Sequence, residues 1–271
     1  MGWKARPWLL RGLGVVMVAA AVVAGAMALD RRVDGMLLSD APPQFPVIFP
    51  GSPPVIANLA KRELLASLTG LRAEPWLETD LCRRMAGAVG TSGWVKVVRN
   101  VRRRADGAFE VNCEYRTPVA MVQQPQGYVL VDAERVRLPG VYAYHESWVV
   151  IDGVEASPPP AGTVWPGDDL AAGIALVLWL SDEPFARQVT AVLVGNYDGR
   201  VDPHRSHVEL ATDRAGGRIR WGSAPGRELE ENSLAAKTAI LRANFARTGR
   251  LDASYPVIDV ATFPDRFTVP G

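Results

Sequence analysis

One uninterrupted apolar run, Gly12 to Leu29, constrains this chain more than anything that follows it. It carries no charge, and at about 1.5 Å per residue a helix of that length covers nearly the roughly 30 Å of a bilayer's hydrocarbon core. Trp8, Leu9 and Leu10 extend it if Arg11 reaches back to the headgroups. The next most apolar stretch, Leu170 to Leu180, has the length of a buried helix instead. The spacing therefore predicts a tail over 1–11, a transmembrane helix over 12–29 and a large remainder on one side of a membrane. Lys4, Arg6 and Arg11 precede the run, whereas Arg31 and Arg32 after it are offset by Asp30 and Asp34, which puts the N-terminus inside. A signal peptide cleaved after Ala28 is the competing reading, since Ala26-Met27-Ala28 has the small-x-small form. The continuation to Leu29 and the charges beyond it favour an uncleaved anchor. Both readings export the rest of the chain.

Composition narrows what that remainder does. The formal net charge of +1 gives no global field toward nucleic acid. With 48% apolar residues the chain is no disordered tail. Two cysteines, Cys82 and Cys113, are too few for a disulfide scaffold and lack zinc spacing; a bridge between them is left open. No Gly-x-Ser-x-Gly or phosphate loop is present. His204 and His207, with Asp202 nearby, are the one cluster resembling metal ligands, and beside Pro203 they fit a solvated turn or strand start better. His145 stands alone. Arg102, Arg103 and Arg104 approach a hairpin tip, where a solvated turn competes with contact to anionic lipid or another protein. The reading is non-enzymatic, with no cofactor and no metal.

A proline-dense stretch follows the apolar run: Pro42, Pro43, Pro46, Pro50, Pro53 and Pro54. Missing N–H groups and fixed φ make it a stiff spacer, with Phe45 to Phe49 able to form one short edge strand. Ile56, Ala60, Leu64 and Leu68 recur every four residues, one face of a helix ended by Gly70. Thr79 is the expected N-cap of a second helix with Leu81, Met85 and Ala88 or Val89 inward, broken by Gly93. Trp94 to Arg103 and Phe109 to Arg116 read as strands joined through Asp106-Gly107, a strong hairpin signal. The order strand, helix, helix, strand, strand is a small α+β unit.

From Pro118 short strands dominate: Val119 to Gln123, Tyr128 to Val131, Arg135 to Leu138, Ser147 to Ile151, Val189 to Val194, His207 to Thr212 and Arg218 to Trp221. Two helices interrupt, Leu170 to Leu180 and one capped by Ser233 that runs through Phe245 to Gly249. The chain ends in Val257 to Ala261 and Phe267 to Val269. A terminal strand beside an unpaired sheet edge is a natural place for a partner's strand to add.

These residues carry a resemblance. Gly93-Trp94-Val95, Phe109-Glu110-Val111 and Glu114-Tyr115-Arg116-Thr117-Pro118-Val119-Ala120 resemble the FtsQ/DivIB family of bacterial cell-division proteins at the passage from its POTRA domain to its β domain. Tyr128 to Asp132, Val150 to Gly153, Arg218 to Gly222, the helix with Lys237 and Leu241, and Ile258-Asp259-Val260 resemble later family signatures in the same order. The chain departs where Gly93 replaces a proline, where Ala261 replaces an arginine, and over an enlarged 155–200 region. The resemblance implies an α+β protein: a linker over 30–44, a POTRA-like β-α-α-β-β domain over 45–117 and a mixed β-rich domain with two helices over 118–271. It implies a single-pass inner-membrane divisome scaffold at the septum, with its bulk periplasmic. Its partners would be coiled-coil subunits like FtsB and FtsL, held by strand addition on a C-terminal edge formed by Val257, Ile258, Asp259, Val260, Phe263, Arg266, Phe267 and Val269. The alternative is an exported enzyme or solute-binding β protein released after Ala28.

Overall fold

The computed structural model describes residues 45–52, 54–69, 71, 78–262 and 266–270. The tail, the segment 12–29, the linker and Phe263 lie outside the described residues. After a two-residue strand β1 (Val47–Ile48) come helices α1 (Pro54–Ser67) and α2 (Glu78–Gly90). Strands β2 (Val95–Arg103) and β3 (Phe109–Tyr115) complete a three-stranded sheet of order β1-β3-β2. Its buried residues are those of the helical and strand periodicities: Ala60, Leu64, Leu68, Leu81, Met85, Val89, Trp94, Phe109 and Val111. Thr79, the expected N-cap, falls inside α2, which begins one residue earlier. Trp94 donates its indole N–H to Glu63 at 3.2 Å, tying the start of β2 to α1.

The second sheet has seven strands in the order β10-β9-β8-β7-β6-β4-β5. They are β4 (Pro118–Gln124), β5 (Gly127–Asp132), β6 (Val149–Asp152), β7 (Val189–Leu193), β8 (Val208–Thr212), β9 (Arg218–Gly222) and β10 (Val257–Asp259). Helix α3 (Asp168–Ser181) links β6 to its parallel neighbour β7, and α4 (Leu234–Thr248) links β9 to parallel β10. Ser233 caps α4 by accepting the Ala236 N–H at 3.3 Å, and Gly249 ends it in the left-handed conformation.

This architecture corrects the expected fold class. Among the described residues the fold is mixed α/β, with two sheets and four helices, and no helix is long and apolar enough to cross a membrane. The most apolar, α3, has 14 residues, about 21 Å of rise against a core of roughly 30 Å. Most of it is covered, since Leu170, Ile174, Leu176 and Val177 are buried in one core with Val122, Ile151, Val192 and Phe185, while Ala175 and Leu178 on its outer face are exposed. A Cβ on Gly173 would sit 2.8 Å from Ile151, so helix and strand touch at closest approach. The helices of this half are crossovers between parallel strands rather than a segregated layer, which strand-by-strand alternation does not reveal.

Both faces of the large sheet are used. Ala120, Val122, Val129, Val131 and Ile151 face α3 and α4, whereas Met121, Leu130 and Val150, one residue out of phase, join the core of the small unit. The expected boundary between 117 and 118 is the two-residue junction from β3 to β4, and the small unit's core continues across it. Arg116 in that junction donates to Asp132 at 2.7 Å and to Glu134 at 3.1 Å. Asp132, only 5% exposed, also accepts the backbone N–H groups of Glu134 and Val136. Gly93 packs on the neighbouring turn, where an added Cβ would meet Gly162 N at 2.8 Å and Pro139 Cγ at 2.9 Å. Cys82 and Cys113 are not joined to each other. Gly90, which faces Val98 opposite Cys113, lies two helical turns, roughly 12 Å of rise, beyond Cys82.

The candidate partner-binding edge

Four sheet edges compete for a partner's strand, and three are defended. β1 has only two residues. The outer strand β2 carries register breaks around Lys96 and Arg99, and its Lys96, Arg99, Arg102 and Arg103 are exposed; bulges and charge are what blunt an edge against pairing. β5 is covered by the chain after it, through bridges from Tyr128 to Tyr142 and from Val131 to Arg137. That leaves β10.

In the β10 ladder Pro256 and Val260 hold the bonds to β9, Arg218 N–H to Pro256 O at 2.8 Å and Val260 N–H to Arg220 O at 3.1 Å. Parallel pairing uses alternate residues, so the backbone groups of Val257 and Asp259 point outward. Asp259 is taken: its N–H donates to Thr268 O at 2.8 Å and its C=O accepts the Thr268 N–H at 2.9 Å. The segment 266–270 thus lies antiparallel outside β10 through one rung, and the same alternation turns the backbone groups of Phe267 and Val269 away from the sheet. Phe267 is half-buried against Tyr255, ring centroids 5.7 Å apart, while Arg266 and Val269 are exposed.

The eight residues expected at this edge therefore divide. Ile258 and Val260 are fully buried core side chains whose backbone groups face β9, so they support the edge and offer a partner nothing directly. Val257 and Asp259 are half-buried on the outer rung, Arg266, Phe267 and Val269 form the outermost layer, and Phe263 lies outside the described residues. Thr268, not among the eight, makes the rung; the alternating Phe267-Thr268-Val269 pattern holds its only signal.

The end of β10 is braced from α4. Asn232 donates its side-chain N–H to Val260 O at 2.7 Å and its backbone N–H to Ala261 O at 2.8 Å. The adjacent Glu231 carboxylate accepts Ser223 N–H at 2.8 Å and Lys237 Nζ at 3.2 Å, beneath Gly222, where any Cβ would collide with it. Lys237 is completely buried, with its ammonium 5.1 Å from the Trp221 ring centroid. Burial pushes its pKa below the ordinary lysine value, with Glu231 pulling the other way. Neither Glu231 nor Lys237 as a brace was legible in the sequence. On the approach to β10, Asp252, fully buried, accepts from Arg250 at 3.0 Å and 2.8 Å and from Ser254 N–H at 2.9 Å.

A shallow cleft beside the β10 end is lined by His204, His207, Arg220, Glu231, Asp259 and Ala261. His204 N–H donates to Asp202 Oδ1 at 2.9 Å in a turn, one of the two settings expected there. Among the described residues no group of three His, Cys, Asp or Glu gathers to hold a metal. His145 is exposed and lies against Trp148 with the rings tilted, centroids 5.3 Å apart. No protein-family model and no curated protein matches this chain.

Proposed function

We propose that the chain is a non-enzymatic scaffold of the bacterial division apparatus, similar to the FtsQ/DivIB family, held at the plasma membrane by its N-terminal apolar run with its folded bulk outside. It binds coiled-coil subunits like FtsB and FtsL by adding an extended segment of theirs to the outer edge formed by β10 and residues 266–270. The observation that carries this reading is the contrast between edges: three are short, bulged or covered, and the C-terminal one is closed by a single rung. Backbone bonds along such an edge give affinity, and the side chains of Phe267 and Val269 give specificity. The meeting of Arg116 with Asp132 adds support, because they belong to two separate stretches that carry the family resemblance.

The test is affinity capture from detergent-solubilised membranes, with the full chain and with a variant ending at Asp265. Coiled-coil division subunits should co-purify with the first and not the second, while both give the same far-ultraviolet circular dichroism. Equal capture by a folded truncated chain would overturn strand addition. Protease added to intact spheroplasts should digest residues beyond 44; a fully protected chain would reverse the location.

A further inference from the structure

The arginine hairpin between β2 and β3 is not used by the docking edge, and its position suggests another contact. β1 pairs with β3 at Phe109 and Glu110, Phe109 donates to Pro46 O at 2.8 Å, and Phe45 packs on Phe109 with ring centroids 5.0 Å apart. The residues that lead back to the apolar run therefore enter the fold beside the tip of this hairpin, where Phe109 pairs with Arg103 and Glu110 with Arg102. Its tip carries Arg102, Arg103 and Arg104, with Arg102 67% and Arg104 46% exposed. Arg102 pairs with Glu110 at 2.8 Å and Arg104 with Asp106 at 3.2 Å, contacts that use only part of each guanidinium's five donors.

The charge of the chain is divided in the same sense. Residues 45–117 hold eleven Lys and Arg against seven Asp and Glu, and residues 118–271 hold fourteen against nineteen. The balanced total conceals a basic small unit, entered from the membrane side, and an acidic remainder. The fifteen residues 30–44 span at most about 47 Å in extended polyproline form. A tether that short raises the effective concentration of headgroups at the hairpin, so a modest charge excess suffices for contact.

We propose that the Arg102–Arg104 hairpin is a membrane-contacting surface that binds the phosphates of acidic lipid headgroups and orients the small unit against the bilayer. This rests on the membrane location proposed above, and on nothing about the β10 edge.

The test uses the full chain in nanodiscs, with Cys82 and Cys113 replaced by serine and a nitroxide attached at Ala105→Cys or, as a remote control, at Leu229→Cys. Nickel chelated on lipid headgroups reports proximity. In discs containing phosphatidylglycerol, collision at 105 should exceed that at 229 several-fold. It should drop to the control level in pure phosphatidylcholine, in about 1 M salt, and in the Arg102→Gln, Arg103→Gln, Arg104→Gln triple variant. Inorganic phosphate at constant ionic strength should leave the contact intact, and displacement by it would assign the arginines to a soluble anion instead. Equal collision at both sites, or no dependence on lipid charge, would overturn the proposal while leaving partner capture untouched. Loss of the protein from both kinds of disc would overturn the membrane location and this contact together.

Discussion

Asp259 and Thr268 bond to each other in both directions, at 2.8 and 2.9 Å, and among the described residues this is the backbone rung between the last strand-like segment and the sheet. Thr268→Pro removes the donor of one of these bonds and leaves the side-chain neighbours in place. The expected outcome is a loss of about 1 kcal/mol in stability and a loss of partner capture of tenfold or more, checked by urea unfolding and by quantitative pull-down. A large stability loss with unchanged capture would place the docking surface elsewhere.

Phe267 and Arg227 separate the edge from a merely charged surface. Phe267→Asp puts a carboxylate on the outermost layer beside Tyr255 and should weaken capture by at least tenfold. Arg227→Asp alters an exposed loop residue whose only described ion pair, to Asp168 at 3.5 Å, is itself exposed. Such pairs contribute about 0–1 kcal/mol, so binding should remain within about twofold of the parent. Isothermal titration with the purified partner segment compares the two.

Lys237→Met strips the largely covered Glu231 carboxylate of its charged partner, and the loss should be about 3 kcal/mol. Adding Glu231→Gln, which keeps an acceptor for Ser223 N–H, should restore much of it, because the neutral amide leaves no unpaired charge at the site. Chemical unfolding of the two variants against the parent measures this. Equal instability of the single and double variants would mean that packing rather than charge pairing holds the site.

Gly93→Ala should destabilise the contact between the small unit and the turns at Pro139 and Gly162 by about 1–3 kcal/mol, since a methyl at 2.8 Å from a backbone nitrogen forces the backbones apart. Thermal unfolding detects it, and a variant as stable as the parent would show that this seam has slack.

A pH window follows from Cys113. Burial raises its thiol from 9.0 to about 11, with the Tyr115 hydrogen bond opposing. The folded state favours the neutral thiol, so the stabilisation is complete below pH about 9 and is lost as pH climbs through about 11. Relative to Cys113→Ala, the parent should lose unfolding free energy across that interval and not below it, as followed by urea unfolding at stepped pH. Parallel curves would mean that the thiol is hydrated.

Local rules made much of this fold legible. The four-residue recurrence from Ala60 to Leu68, the Asp106-Gly107 turn and the alternation of β3 each lie within one element, where period and turn chemistry act directly. The Ser233 cap and Gly249 stop are of the same kind. What stayed hidden is long-range. The stretch Arg135 to Leu138 alternates like a strand, yet it contributes only isolated bridges, because it closes over β5 instead of extending a ladder. Phe267 to Val269 likewise supplies a single bridge. Parallel pairing of β4 with β6, with β5 between them in sequence but on the far side of β4 in the sheet, has no signature in either strand. At the site, the outward parity of Asp259 depends on which neighbour β10 chooses, and Lys237 reads as an ordinary helical lysine until Trp221 and Glu231 are folded around it.

β10 is three residues long, and only a handful of outward backbone groups continue past it to Val269. At roughly 0.5–1.5 kcal/mol net per hydrogen bond, so short an edge cannot hold a visitor for long by backbone pairing alone. Residence time must then come from side chains that the visitor brings, and differences between visitors appear in how fast they leave rather than how fast they arrive. On the proposed function, such a brief, replaceable grip would let subunits exchange while the braced sheet beneath it stays put.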